Sequence, residues 1–292
     1  MKPSKEFWLA WGITVLLALT GVILLFTDLA VYGVGIFCIL PTVIGFVTGI
    51  YTRNFLSYLG IIVGLLSIFL LLISAGEGIF CIVMALPIVF AFVGFGYLVG
   101  FWVKKTNDQQ HDSPKIIVLP IIFISFSIIG EKFFGESGIK DSVSTSLILP
   151  HSQDKIYDKI IAVDTVDVKQ NLFQTMGLPT PRKCILTAEK IGGLRICKFD
   201  EGTIIETIRE LKRGELLRMD VTKSDISMNW LKFDEDIYTI KANINGTSTI
   251  TRTTTYFSEL KPRFYWKYVE KLTIGAEQEF VFRNLAKDLA KK

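Results

Sequence analysis

Histidine and cysteine are scarce: 292 residues hold two of the first and four of the second. His111 and His151 belong to no Ser/His/Asp arrangement, which argues against a histidine-based hydrolase. The cysteines, at 38, 81, 184 and 197, form no CxxC and no Cys/His spacing, so neither zinc nor any other cofactor is implied. The acidic run Asp234-Glu235-Asp236 lacks the spacing of an EF-hand and reads as a solvated loop. Charge of one sign is also lacking. With 32 Lys+Arg against 28 Asp+Glu, a net charge of +4 gives no reason to expect nucleic acid as a partner. The most telling shortage is local. Residues 1–130 hold 6 Lys/Arg and 5 Asp/Glu, whereas residues 131–292 hold 26 and 23. The chain reads as two physically different parts, one suited to lipid and one to water.

The first part contains four apolar stretches, about 7–26, 31–51, 55–74 and 79–103, none with an Asp, Glu, Lys or Arg. Each matches the roughly 20 helical residues that cross a hydrocarbon core. A fifth stretch, 116–130, is shorter and carries Pro120. Lys2, Lys5, Arg53, Lys104, Lys105 and Lys115 all fall in alternate connections, while Asp28 and Glu77 occupy the others. Because basic residues are retained on the cytoplasmic side, the N-terminus is expected there. If the fifth stretch crosses, the rest of the chain is extracytoplasmic; if it is re-entrant, the rest is cytoplasmic. A cleaved signal peptide is a poorer account of the first segment, whose apolar region is too long for one. The spans carry no ionisable group of the kind that marks transporters and proton relays. Their pairs Gly45/Gly49, Gly60/Gly64 and Gly96/Gly100 have small-xxx-small spacing, which suits compact packing of the bundle first and a homo-oligomer contact or lipid groove second. Pro41 and Pro87 are expected to kink their helices.

The second part is long enough to bury a full core. After a polar tether, 131–141, residues 142–149 read as a strand, Pro150 to Ser152 as a stop and helix cap, and 153–163 and 168–176 as short helices. Six strands follow, at 183–188, 194–199, 203–209, 215–222, 237–244 and 247–257. Their turns carry Gly192-Gly193, Glu201-Gly202, Arg213-Gly214 and Asn245-Gly246. Asn245-Gly246-Thr247 is formally a glycosylation sequon, but a tight turn accounts for it. Pro262 opens a long helix in which Tyr265, Val269, Leu272, Ala276 and Phe280 repeat at helical spacing, with Leu285 and Leu289 beyond. An antiparallel meander covered by one long helix leaves room for an apolar ligand between them.

Several segments resemble a known superfamily. Leu194-Arg-Ile-Cys-Lys-Phe-Asp-Glu-Gly202, then Ile205-Glu206 and 216–221, resemble the central strands of the polyketide cyclase/dehydrase and lipid transport superfamily, also called START-like, Bet v 1-like or SRPBCC. Gly246 to Tyr256 is similar to its Gly-x-Thr strand, and Pro262-Arg-Phe-Tyr-Trp266 to the lead-in of its last helix. Leu149 to Tyr157 resembles the first strand, proline turn and first helix, with Tyr157 where a Trp is common. The likeness covers about 142–290 and concerns fold, not activity. It implies an α+β helix-grip domain at 142–292, with a curved antiparallel sheet and a hydrophobic cavity, joined to an α-helical transmembrane domain at 1–130. Members of the superfamily bind lipids, sterols or polyketides, and a minority catalyse cyclisation or dehydration.

Pairing through a turn at Glu201-Gly202 puts Arg195, Cys197, Phe199, Ile204 and Glu206 on one face, with Arg195 diagonal to Glu206. These two either orient a ligand headgroup or form a structural cross-strand ion pair. Cys184 and Cys197 lie on neighbouring strands. A turn centred on residues 190–191 sets them opposite and permits a disulfide, whereas one centred on the two glycines does not. Thr249, Thr251, Thr253 and Thr255 share a strand face, exposed or ligand-facing. Tyr265 and Trp266 either close one end of the cavity or pack in the core. The reading is therefore a multi-pass membrane protein whose helix-grip domain binds or senses a lipid or other hydrophobic small molecule, with the bilayer as its other partner. No catalytic constellation is visible. The alternatives are a cyclase/dehydratase-type enzyme using Arg195 and Glu206, and a structural or partner-interaction module of the cell envelope.

Overall fold

The computed structural model describes residues 5–26, 33–51, 62, 79–106, 130–131, 138–226 and 230–291. The expected third span, the fifth stretch up to 129, Gly60/Gly64 and His111 lie outside these residues. The chain divides into two units, Met1–Ser137 with Glu259–Trp266, and Gly138–Ser258 with Lys267–Lys292.

In the first unit, α1 (Lys5–Phe26) is a continuous helix, and a π-helical turn (Gly35–Ile39) runs directly into α2 (Leu40–Tyr51). Pro41 has no N–H to give to the i−4 carbonyl, and the wider turn just before it accommodates that break. Helix α3 (Ile79–Thr106) contains Pro87 and ends on Lys104 and Lys105. Of the described helices, residues 80–106 are long and apolar enough to cross a membrane, with a mean hydropathy of 2.4 over the most apolar stretch. The glycine pairs bring α2 and α3 together. A Cβ on Gly45 would sit 2.0 Å from the Val93 carbonyl oxygen, and one on Gly96 would sit 1.9 Å from that of Thr42. Gly49 and Gly100 are equally tight against Tyr97 and Phe46. The two described small-xxx-small pairs, Gly45/Gly49 and Gly96/Gly100, are thus used within the chain, backbone against backbone.

The second unit is a seven-stranded antiparallel sheet of order β1-β7-β6-β5-β4-β3-β2. Its strands are β1 (Ile139–Leu149), β2 (Pro181–Leu186), β3 (Leu194–Phe199), β4 (Thr203–Lys212), β5 (Leu216–Ser224), β6 (Leu231–Ala242) and β7 (Ser248–Ser258). Two short helices, α4 (Gln153–Ile161) and α5 (Leu172–Thr175), lie between β1 and β2, and α6 (Arg263–Ala290) closes the chain. Bulges in β2, β4 and β6 bend the strands. A long helix held against a bent meander is a helix-grip arrangement. Leu149, Ile156, Tyr157, Ile160, Ile208, Leu217, Met219, Ile240 and Ile250 form its apolar core with Phe282 and Leu285 of α6. At one sheet edge, Val163 exchanges backbone hydrogen bonds with Cys184, which protects that edge from pairing with another chain.

Several expected boundaries move. The strand expected from 142 begins at Ile139, inside the stretch read as tether. The helix expected at 168–176 is a single turn capped by Asn171, whose side chain accepts from the N–H groups of Phe173 and Gln174. The Asn245-Gly246 connection is a three-residue loop, closed by Asn243 N–H on the Thr247 carbonyl, with Gly246 at φ +77°. The largest change is in β6. It starts at Leu231 and takes in Asp234-Glu235-Asp236, which the sequence presents as a loop. A bulge between Phe233 and Glu235 shifts the alternation by one, so Asp236, Tyr238 and Ile240 face inward.

Replacing Gly96 by Leu should drive a side chain into the Thr42 carbonyl and part α2 from α3. The expected cost is upwards of about 1–3 kcal/mol. Leu at Gly94, where a Cβ meets nothing within 4 Å, is the control and should change little. Thermal unfolding in detergent would distinguish them.

Candidate functional site

Under the first half of α6 the apolar core gives way to charge. Arg252 of β7 lies between two carboxylates. Its Nε and Nη2 donate to Asp236 of β6 at 2.7–3.2 Å, and its Nη1 donates to both oxygens of Glu277 of α6 at 2.9 and 3.1 Å. Thr254 donates its hydroxyl to Asp236, which is 2% exposed. Beside it, Gln278 accepts from Thr145 Oγ1 at 2.6 Å and donates to Thr254 Oγ1 and the Val143 carbonyl. On the other side, Arg195 of β3 donates to Glu206 Oε2 of β4 at 2.7 Å and to the Ile160 carbonyl at 3.3 Å. The Tyr238 ring joins the two ion pairs, with the Arg195 guanidinium 5.8 Å and that of Arg252 5.4 Å from its centroid.

Such burial is costly unless nearly every donor and acceptor is matched. One is not. The Nε of Arg195, a side chain 3% exposed, meets no acceptor among the described residues. Two residues that meet the Arg195 guanidinium, Ile160 through its carbonyl and Tyr238 through its ring, also line a recess together with Val163, Phe282, Leu285, Lys159 and Asp288. The recess has a volume of about 10 Å³, room for one water molecule. Among the described residues, ion pairs and amide side chains occupy the space between sheet and helix under the middle of α6, where the sequence led to the expectation of a hydrophobic cavity.

The cluster has two guanidinium groups and three carboxylates, so charge alone is unbalanced. Burial pushes the carboxyl of Glu206 above its ordinary range, with Arg195 opposing, and burial together with the Asp236 charge does the same to Glu277.

Of the residues singled out in the sequence, Arg195, Cys197, Ile204 and Glu206 come together, buried on one face of β3 and β4. Their register differs from expectation by two residues. Phe199 N–H bonds the Gly202 carbonyl, so the turn is Asp200-Glu201 and Arg195 stands directly opposite Glu206 instead of diagonal to it. Gly202 is required as a flank of that turn: its φ is +105°, and a Cβ there would lie 2.4 Å from the Asp225 carbonyl oxygen. Phe199 is half-buried at the end of β3 beside Pro181. Cys184 and Cys197 are directly paired and joined in a disulfide. The Cys197 sulfur, with no proton to donate, touches Glu206 Oε2 at 3.9 Å. Tyr265 and Trp266 do not join this group. They belong to the first unit, where Tyr265 donates to the Met84 carbonyl and the Trp266 ring packs 4.8 Å from Phe37. The threonine face is a ladder with β1, Ser144 to Thr253 at 2.8 Å and Ser146 to Thr251 at 2.7 Å, on the side of the sheet away from the charges.

Sequence reasoning passed over Asp236, Tyr238, Arg252, Glu277 and Gln278. The signal for Arg252 was present: if Thr251 and Thr253 share one face, the residue between them shares the other with Ile250 and Tyr256, and a charge there is buried. Asp236 gave no such signal because the bulge resets the alternation.

No family model and no curated protein sequence matches the chain. Solved structures do. A START superfamily protein from Mycobacterium smegmatis is 13% identical, with a TM-score of 0.37 over 51% of this chain and 96% of that one. A Staphylococcus aureus protein of unknown function is 13% identical, with a TM-score of 0.37 over 52% and 94%. Norcoclaurine synthase from Thalictrum flavum, in complex with dopamine and hydroxybenzaldehyde, is 14% identical, with a TM-score of 0.37 over 53% and 90%.

The charged cluster predicts an unusual pH dependence. A carboxyl whose folded pKa is raised contributes stability that is fully present below its ordinary value of 4.5 and is lost as pH rises through the folded value. Amides of β6 and β7 should therefore exchange hydrogen with a larger opening free energy at pH 5 than at pH 8, and Glu277→Gln should flatten that difference. In the same measurement Arg252→Met, which strands Asp236, should lower the opening free energy by about 3–5 kcal/mol.

Proposed function

We propose that this is a membrane-anchored helix-grip protein of the START-like superfamily, whose C-terminal domain binds or senses a lipid or other apolar small molecule. One observation carries the reading: the unmatched Nε of Arg195, deep in the fold, on a guanidinium that meets Ile160 and Tyr238, two residues of a recess walled also by Val163, Phe282 and Leu285. A ligand suited to it has an apolar body and one hydrogen-bond acceptor, such as a carbonyl, carboxylate or phosphate oxygen. The recess admits no such molecule while α6 is down, so binding is coupled to a movement of α6 that breaks its Glu277 link to Arg252. That coupling is what would make the domain a sensor.

Anchoring is supported by apolar side chains that face outward on the long helices, among them Leu16, Ile23, Phe95, Leu98 and Trp102, the last 75% exposed. Placement of the domain outside the cytoplasm has three supports. The Glu131 carboxylate, just past the fifth stretch, accepts from Val34 N–H at 2.8 Å and Gly35 N–H at 2.9 Å, at the start of α2 and away from the end that leads to Arg53. Tyr265 meets Met84, near the start of α3 and far from Lys104 and Lys105. The Cys184–Cys197 disulfide suits an oxidising compartment. A fifth stretch that crosses satisfies all of these.

Two measurements test the proposal. Solvent extraction and mass spectrometry of the purified full chain should yield an apolar compound bearing an acceptor. Arg195→Lys, which keeps a cation for Glu206 but removes the Nε–H, should reduce its recovery at least about tenfold, the loss expected from one charge-assisted hydrogen bond, while the sheet stays folded. Recovery of nothing beyond a detergent blank would overturn the ligand reading. A cysteine in place of exposed Lys212 should react with an impermeant maleimide in intact cells; reaction only after lysis would place the domain in the cytoplasm.

A further inference from the structure

The exposed surface of α6 changes character along its length. In the first three turns it presents Phe264, Tyr268 and Leu272, which are 69%, 68% and 63% exposed. Spaced by four, they form one stripe, with Lys267 and Lys271 exposed along its flank. Farther along, the same surface carries Glu279, Arg283 and Lys287, as a water-facing helix should. Two large aromatic-ring side chains and a leucine held in water over three turns are costly. Their number and alignment set them apart from the single apolar residues scattered elsewhere on the domain, such as Ile148 and Ile244.

Two features identify the occupant. The stripe is continuous in sequence with an apolar segment: Tyr265, at its edge, and Trp266, on the opposite side of the same turns, pack among the residues of the first unit. Of the two flanking lysines, Lys267 is paired with Asp141 at 3.0 Å, whereas Lys271 adds a basic charge beside the stripe on a long stem that can lie along apolar surface with its ammonium in water. Aromatic and leucine side chains bordered by lysine match the boundary between acyl chains and anionic headgroups. We propose that the first three turns of α6 dock on the headgroup layer of an anionic bilayer, Phe264, Tyr268 and Leu272 entering it and Lys271 meeting lipid phosphate. This rests on the membrane-anchored reading and adds to it a surface that recognises lipid without the recess. It also ties the two, because the helix that covers the recess is the one whose start is held at the bilayer.

The test uses the full chain with Cys38 and Cys81 replaced by Ala and the disulfide retained, reconstituted in bilayers of phosphatidylcholine alone or with a third phosphatidylglycerol. Nitroxide labels are placed singly at positions 264, 268, 272, 279 and 98, and their relaxation by oxygen and by a water-soluble nickel chelate is compared. The expected result is that labels at 264, 268 and 272 favour oxygen in the anionic bilayer while that at 279 favours nickel. Lys271→Glu should shift the label at 268 towards nickel in anionic bilayers and leave it unchanged in neutral ones. If 98 favours oxygen but the three stripe positions behave like 279, the docking proposal falls and the anchor stands. If 98 also favours nickel, both fall. Dipolar broadening at 268 that vanishes on dilution with unlabelled chain would mean a second copy covers the stripe, and the proposal is overturned.

Discussion

Arg252 joins three elements that are distant in sequence: it sits on β7, shares hydrogen bonds with Asp236 on the neighbouring strand β6, and reaches Glu277 on the helix that lies over both. Two charges taken out of water attract each other strongly only if their geometry is fixed, so each partner constrains the others. Asp236 must face inward, which requires the bulge in β6. Glu277 must face the sheet, which sets the rotation of α6 about its axis. That rotation in turn buries Glu270, Thr273, Gln278 and Asn284 and leaves Leu272 in the open. The orientation of the gripping helix is thus set by the salt link together with the apolar residues it also buries, among them Ile274, Ala276, Phe280, Phe282 and Leu285.

The same constraint explains which parts of the fold were legible. The meander, its order of hairpins and the final helix follow from period-two alternation and glycine-bearing turns, and these emerged with errors of a few residues. The opposition of Cys184 and Cys197 was open between two turn centres, and the structure takes the one at 190–191. What failed was the inner surface near α6. Apolar periodicity selected Tyr265, Val269, Leu272, Ala276 and Phe280, with Leu285 beyond, as the buried stripe; Ala276, Phe280 and Leu285 are buried, but Leu272 is exposed and Tyr265 packs in the other unit. A helix whose buried side mixes polar with apolar residues hides its polar members from any reading that equates burial with hydrophobicity. The bulge at Phe233 and Glu235 hid Asp236 for a related reason, since alternation identifies a face only while the strand is regular.

In the candidate site, Arg195 and Glu206 could be nominated because both stand on the same side of a short hairpin, a relation that survives a register error of two. Tyr238 and Gln278 could not, since their roles depend on non-local pairings. Where an apolar cavity was expected from the fold, large polar side chains occupy the space under the middle of α6. Apolar side chains in that position would leave nothing for a ligand to displace but other apolar contacts. Here each contact that α6 makes with the charged floor is directional, so a small displacement loses the link altogether.

That directionality bears on what the domain can do. Hydrophobic contact weakens gradually as surfaces separate, whereas a guanidinium shared by two carboxylates in a low-dielectric interior has one favourable arrangement and a steep rise away from it. An element held by such a link has two well-separated positions and few between them, which is the property a switch needs. Within the second unit, helix α6 has the link under its middle, the recess beyond it at Phe282 and Leu285, and exposed Tyr268 and Leu272 before it. These positions belong to one unbroken helix. A ligand entering at the recess and a surface engaging Tyr268 and Leu272 would then compete for, or cooperate over, a single orientation of that helix.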